Sequence, residues 1–263
     1  MTQFSIMKFI IICLVSICSF FTAHAQNVES CFEEGEFLEF KVKYLSFNTS
    51  TATLKIKKEV LNNKPVYHIM GRGKSSSFLS FFFKIDDRYE TYIDTETYFP
   101  YKFVRNINEG GYKKNIIIDF DRENKKATVN DYKRETVKVF DTPENVHDMV
   151  SSFYYLRNHI DTSTLKEGDE TSLDMFFDNE NYPFKLKFLG RDVVKTKFGK
   201  KKCLMFRPLV LADRVFKEKE SLTVWISDDQ NKIPVKISAD LAVGSLSFIL
   251  SNYDGLKYPF TSN

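Results

Sequence analysis

The feature that most restricts this chain is a period of two in its apolar residues, recurring along most of its length. Leu38, Phe40, Val42 and Tyr44 alternate with Glu39, Lys41 and Lys43; Leu54 and Ile56 with Lys55 and Lys57; Tyr101, Phe103 and Arg105 with Lys102 and Val104. Ile116, Ile118 and Phe120 oppose Ile117 and Asp119. After residue 170 the pattern returns in Leu173, Met175 and Phe177, in Phe184, Leu186 and Phe188, in Leu222, Val224 and Ile226, and in Leu246, Phe248 and Leu250. Alternation sends successive side chains to opposite faces, so each stretch predicts a strand with one face on a core and one in water.

Polar clusters punctuate the strands: Asn62-Asn63-Lys64-Pro65, Glu109-Gly110-Gly111, Asp121-Arg122-Glu123-Asn124, Asp178-Asn179-Glu180-Asn181, Gly199-Lys200 and Asp228-Asp229-Gln230-Asn231. Such residues supply the backbone freedom that hairpins need. Consecutive hairpins make an antiparallel meander, and a meander this long must curl or close to hide its edges. With 26 Phe and 13 Tyr against 10 Gly and 7 Pro, the composition excludes a disordered or low-complexity chain.

One segment breaks the period. Asp141-Thr142-Pro143-Glu144 predicts a helix start, with Thr142 as N-cap and Pro143 in the first turn. Val146, Met149, Val150, Phe153, Leu156 and Ile160 then recur at three- and four-residue steps, which predicts one amphipathic helix of about four turns. Asp161 to Asp169 reads as a loop. The expected fold is therefore predominantly all-β: an antiparallel meander curled into a barrel-like sheet, with one amphipathic helix packed on its concave side.

The N-terminus carries an export pattern. Lys8 precedes the apolar run Phe9 to Phe21, and Ala23-His24-Ala25 has the small-x-small form that signal peptidase requires. Residues 1–25 are expected to be a signal peptide cut after Ala25, with Met7 an alternative initiator, and residues 26–263 a single exported β-rich domain. A membrane anchor is the rival, but the run is short for a span, and no later segment approaches roughly 20 apolar residues. Cys13 and Cys18 each follow Ile, so no lipid-modified cysteine is expected. The expected location is periplasmic, with extracellular release the alternative. An outer-membrane barrel also alternates, but charged residues here occupy faces where lipid would lie.

Basic and acidic residues nearly balance, at 38 and 35, which gives no case for nucleic acid. Beyond the leader the cysteines are Cys31 and Cys203, and whether they bridge is left open. His68, His147 and His159 lack metal-ligand spacing. There is no G-x-S-x-G elbow. Gly71-Arg72-Gly73-Lys74-Ser75 falls short of a phosphate loop and reads as a bulge or strand end. Asp86-Asp87 would face opposite sides of a strand, and Asp228-Asp229 would lie in a turn, so neither makes a facing acid–base pair. No catalytic residue, cofactor or metal is expected.

The most unusual local run is Phe78-Leu79-Ser80-Phe81-Phe82-Phe83. Because exposed apolar patches are uncommon, the favoured reading is a strand buried on both faces or a plug inside the barrel. The functional alternative is an apolar loop at the barrel mouth, with Phe78, Leu79, Phe81, Phe82 and Phe83 touching lipid, another apolar ligand or a partner.

Four stretches together resemble an exported Gram-negative family known as domain of unknown function 3108. They are Gly35-Glu36-Phe37-Leu38-Glu39-Phe40, Asp86-Asp87-Arg88-Tyr89-Glu90-Thr91, the segment Asp148 to Arg157, and Val224 to Asp229 followed by Ile233-Pro234-Val235-Lys236-Ile237. The resemblance implies a periplasmic barrel-like fold with a packed helix and carries over no catalytic residue. The Trp225 hairpin followed by Pro234 also looks like the strand pairs of periplasmic lipoprotein-carrier half-barrels, a fold-level likeness. The expected function is non-catalytic binding of an apolar or amphipathic envelope component, such as a lipid or envelope glycolipid. The alternative is an assembly factor holding an envelope protein by a sheet edge or the Phe78–Phe83 run; an envelope hydrolase comes third.

Overall fold

A computed structural model describes residues 29–45, 47–209, 222–241 and 244–260. The expected signal peptide and its cut after Ala25 lie outside the described residues. In chain order the elements are β1 (Phe37–Tyr44), β2 (Phe47–Leu61), β3 (Lys64–Ser75), α1 (Ser77–Phe82), β4 (Asp86–Asp94), β5 (Pro100–Glu109), β6 (Tyr112–Asp121), β7 (Lys126–Asp131), β8 (Thr136–Asp141), β9 (Val146–His147), α2 (Met149–His159), β10 (Glu170–Phe177), β11 (Glu180–Thr196), β12 (Gly199–Leu209), β13 (Leu222–Ser227), β14 (Pro234–Asp240) and β15 (Ser245–Asp254).

All the described strands belong to one 15-stranded sheet in the order β8 to β1, then β15 back to β9. The first half of the chain makes one meander and the second half another. They are zipped together where β1 pairs antiparallel with β15, from Phe37 opposite Asp254 to Tyr44 opposite Leu246. The outer strands of the sheet are β8 and β9, so the ladder does not close. Side chains bridge the gap instead. Asp178, at the β10–β11 turn, accepts from Arg105 at 2.6 Å and Lys114 at 2.8 Å, and the Phe176 ring lies 5.6 Å from that of Phe140.

The turns follow the sequence reading. Asn62 and Asn63 have φ of 51° and 62°, and Asp178 and Asn179 have 49° and 69°. Positive φ at both central residues is the twist-matched hairpin geometry, which Asn and Asp tolerate best after glycine. Cys31 and Cys203 are both buried and unbridged. The run from Gly71 to Ser75 is the end of β3, as expected, and not a bulge: Gly71 sits in regular register between Leu54 and Tyr89. A Cβ there would lie 3.2 Å from the Tyr89 carbonyl oxygen, so it is a close backbone approach inside a strand.

The expected helix start is corrected. Thr142 and Pro143 precede a two-residue strand, β9, which pairs in parallel with Asp174–Met175 of β10. The helix begins after Asp148, whose carboxylate accepts from the N–H groups of Val150 and Ser151 at 2.8 and 2.9 Å. The Ser151 hydroxyl accepts from the Asp148 N–H in return, completing a capping box. This cap satisfies more helix donors than a Thr142 hydroxyl could, and strand pairing claims Val146 and His147.

The Phe78–Phe83 run is corrected as well. It is neither a buried strand nor a plug. It forms the short helix α1, with Ser76 as N-cap and no buried residue.

Candidate functional site

α2 lies between the two halves of the sheet and is held at both ends by buried polar contacts. At its start, Thr91 of β4 donates to Asp148 at 2.6 Å. At its end, Arg157 donates to both oxygens of Glu36 at 2.7 and 2.9 Å and to the carbonyl of Asn231 at 2.7 Å. Burial opposes the charge on Arg157, but the Glu36 carboxylate overrides it and holds the guanidinium firmly protonated. Asn158 accepts the N–H of Cys31 at 2.9 Å, and Lys232 donates to the carbonyl of Ile160 at 3.0 Å. A buried ion pair with these added bonds fixes one orientation of the helix, because leaving either partner unpaired would be expensive.

That orientation gives α2 two faces with different neighbours. Val150 and Tyr154 close a dense core with Phe32, Ile69, Phe103, Ile118, Phe120 and Val129 in the first half. The burial of that core pushes the Tyr154 hydroxyl up beyond the usual tyrosine range. The other face, Met149, Ser152, Phe153, Leu156 and Ile160, looks toward the second half and meets a cavity of about 400 Å³. Its far wall comes from β10 to β14: Met175, Phe184, Leu186, Leu204, Phe206, Val224, Ile226 and Ile237. Arg157, Thr162 and Lys232 are the polar contributors besides Ser152.

The two halves differ in how they use their inward faces. In β5 to β7 the alternating apolar residues Phe103, Ile116, Ile118, Phe120 and Val129 are all buried. In β11 and β13 the equivalent pattern leaves Phe184, Leu186 and Val224 only half-buried. Those side chains line the cavity, and Leu186 and Val224 also pack on a buried cluster of Phe188, Leu204, Phe206 and Ile226. A volume of about 400 Å³ is within the range of small-ligand pockets, which runs from roughly 300 to 1,000 Å³ and favours apolar walls with few polar groups.

The residues singled out for chemistry are dispersed. His68 lies in β3 between Glu59 and Glu90 at 3.1 and 3.0 Å and stacks on Tyr92. His147 is buried in an aromatic stack with Phe99 and Tyr155, and burial pushes its pKa down to about 3. Tyr155 stacks in turn on His159 at 3.8 Å. Asp86 is paired with Arg72, while Asp87 is buried and accepts the Asn108 N–H at 2.9 Å. Asp229 caps its own turn, accepting from Ser227, Asn231 and Lys232. Among the described residues no group of three His, Cys, Asp or Glu is placed to hold a metal ion, and no helix is long and apolar enough to cross a membrane.

The candidate contact residues of the sequence reading, Phe78, Leu79, Phe81, Phe82 and Phe83, do not reach this cavity. Phe78, Phe81 and Phe82 are 81%, 85% and 71% exposed. The apolar cavity residues were visible in sequence only as inward-facing strand positions and, for Met149, Phe153, Leu156 and Ile160, as the apolar stripe of a helix.

This capped, wedged helix inside a two-meander sheet can be set against known proteins. A family model for proteins of unknown function, DUF3108, matches residues 39–251. The chain belongs to the DUF3108 family. No curated protein matches it. Among solved structures it is similar to a β-barrel-like protein of domain of unknown function DUF1849 from Brucella abortus, at 9% identity and a TM-score of 0.53, covering 86% of this chain and 99% of that one. At that identity the likeness shows the fold alone. It also aligns with a candidate lipoprotein from Parabacteroides distasonis ATCC 8503 (12% identity, TM-score 0.36, 86% and 97% coverage). A candidate exported protein with a YmcC-like fold from Bacteroides fragilis NCTC 9343 aligns at 10% identity and TM-score 0.37, with 86% and 98% coverage.

Proposed function

We propose that this DUF3108 protein is an exported, non-catalytic binding protein of the cell envelope, and that it takes the apolar part of an amphipathic ligand between α2 and β10–β14. The observation that carries the reading is the cavity of about 400 Å³ itself, lined by inward-facing strand residues and one face of a rigidly held helix. Transfer of a ligand's apolar surface into such walls is worth roughly 25 cal/mol per Å². The leader pattern of residues 1–25 supports an envelope location, where lipids and glycolipids are the abundant amphipathic molecules. A binding role is favoured over hydrolysis because the titratable groups on the described walls are Arg157 and Lys232, the first already committed to Glu36. Neither supplies a general base beside a nucleophile.

The test is native mass spectrometry of the protein purified from its own envelope, followed by organic extraction. A bound lipid or glycolipid near one per protein is expected, with occupancy reduced when Val224→Trp narrows the cavity. A bare mass, together with failure of an apolar fluorescent probe to bind, would overturn the reading.

A further inference from the structure

The rings of α1 are exposed although they are apolar, and the fold does not use them. Phe78, Phe81 and Phe82 stand at i, i+3 and i+4, so they share one face of the helical turn. Phe82 lies 5.8 Å from Phe78 and 5.2 Å from Phe81, edge to face, so the three rings form one cluster. The cluster is held up by polar anchors rather than by packing. Leu79 N–H donates to the Ser76 hydroxyl at 3.3 Å, the Ser75 and Ser80 hydroxyls are 2.6 Å apart, and the Ile85 N–H donates to Ser75 at 3.0 Å. Below it, the Phe83 ring lies so close to Gly110 that any Cβ there would collide with it.

The neighbouring hairpins extend the same surface. Ser76 N–H donates to the Thr49 carbonyl at 2.8 Å, tying α1 to the β1–β2 end, where Leu45 and Phe47 are 54% and 74% exposed. Gly110 N–H donates to the Lys84 carbonyl at 2.9 Å, tying it to the β5–β6 turn and the exposed Tyr112. Lys74, Lys84 and Lys113 are exposed around this end. Among the described residues the acids at this end are Asp86, held by Arg72, the buried Asp87, Glu109, and Asp240, which pairs with Ser245 beside Leu45.

We propose that α1 and these hairpin ends form a foot that seats the protein on an anionic lipid bilayer, with the rings entering the headgroup boundary and the lysines meeting lipid phosphates. Exposed aromatics beside lysine are the composition of interfacial anchors. The three outermost phenyl groups, Phe78, Phe81 and Phe82, could bury about 450 Å² together, taking roughly 150 Å² for each.

The test is co-sedimentation with vesicles of phosphatidylglycerol and phosphatidylethanolamine, with phosphatidylcholine vesicles as the uncharged comparison. The wild-type protein is expected to sediment with the anionic vesicles, less so at high salt. The triple variant Phe78→Ser, Phe81→Ser, Phe82→Ser should partition at least about tenfold more weakly, because partitioning scales with buried apolar area. Its melting temperature should be unchanged, since the three replaced rings are exposed and none belongs to the core. Lys74→Glu with Lys84→Glu should weaken binding without unfolding. Protein that stays in the supernatant, a triple variant that partitions like wild type, or a dimer in sedimentation velocity that the triple variant breaks would each overturn the proposal. Val224→Trp should still sediment, which separates failure of the foot from failure of the cavity.

Discussion

Arg157 and Glu36 are joined across 121 residues of sequence, and both side chains are 1% exposed. Removing one partner strands the other in a low-dielectric core, so Arg157→Ala should cost about 3–5 kcal/mol by chemical denaturation. The double variant Glu36→Leu, Arg157→Met should be less damaging than Arg157→Ala alone, because no charge is then left unpaired. A second residue-scale expectation concerns pH. Hydrogen bonding to Asp87, with burial, raises Glu109 from the ordinary 4.5 to about 7. A carboxyl with a raised folded pKa holds its proton longer in the folded state. Its contribution is therefore complete below about 4.5, lost as pH rises toward 7, and constant above that. The stability of Glu109→Gln relative to wild type should thus climb between pH 4.5 and 7 and then level off. A flat difference in denaturation midpoints across that window would refute it.

The elements differ in how openly the sequence announces them. The strands were legible because burial of Leu38, Phe40, Val42 and of Ile116, Ile118, Phe120 follows the alternation residue by residue. The start of α2 was not, because Thr142-Pro143-Glu144 is a sound local cap, while the pairing of Val146–His147 with Asp174–Met175 spans 28 residues and leaves no local mark. Asp148 wins as cap through a contact more distant still, the bond from Thr91, 57 residues away. Asp148→Ala should therefore cost about 1–2 kcal/mol for the cap, and it also leaves the buried Thr91 hydroxyl with only its longer bond, 3.4 Å to the Lys102 carbonyl. Thr91→Val should cost less, because Asp148 keeps its backbone donors. Paired urea denaturation of the two variants would show the order; a larger loss from Thr91→Val would contradict it. α1 was misread for a related reason: apolar composition favours burial on average, and only the geometry of the serine anchors holds those rings outward.

At the scale of the molecule, the two meanders have similar patterns but different interiors, and this was the part least legible in the sequence. Alternation states which side of β11 or β13 faces inward, but it does not state whether anything meets Phe184 or Val224 there. α2 decides that, because its buried ion pair and cap commit Tyr154 and Val150 to the first half and leave Phe153, Leu156 and Ile160 to line the cavity, with Phe153 and Ile160 packed on the second-half cluster around Phe188 and Phe206. Two explanations of the space make opposite predictions. If it is a packing defect, filling it should stabilise the protein and change nothing else. If it is a ligand site, filling should stabilise the ligand-free protein and remove binding together, the usual trade between stability and function. Val224→Trp is suited to the choice, since Val224 is half-buried and on the cavity wall. The expected result is a gain of about 0.5–2 kcal/mol in ligand-free stability with a loss of apolar probe binding. Hydrogen exchange should agree. Amides of β11–β13 should exchange faster than those of β5–β7 in the ligand-free protein, because local stability follows the density of buried contacts. Apolar ligand should slow them in wild type and not in the variant. A variant that is more stable and still binds the probe would place the ligand elsewhere and leave the cavity as imperfect packing.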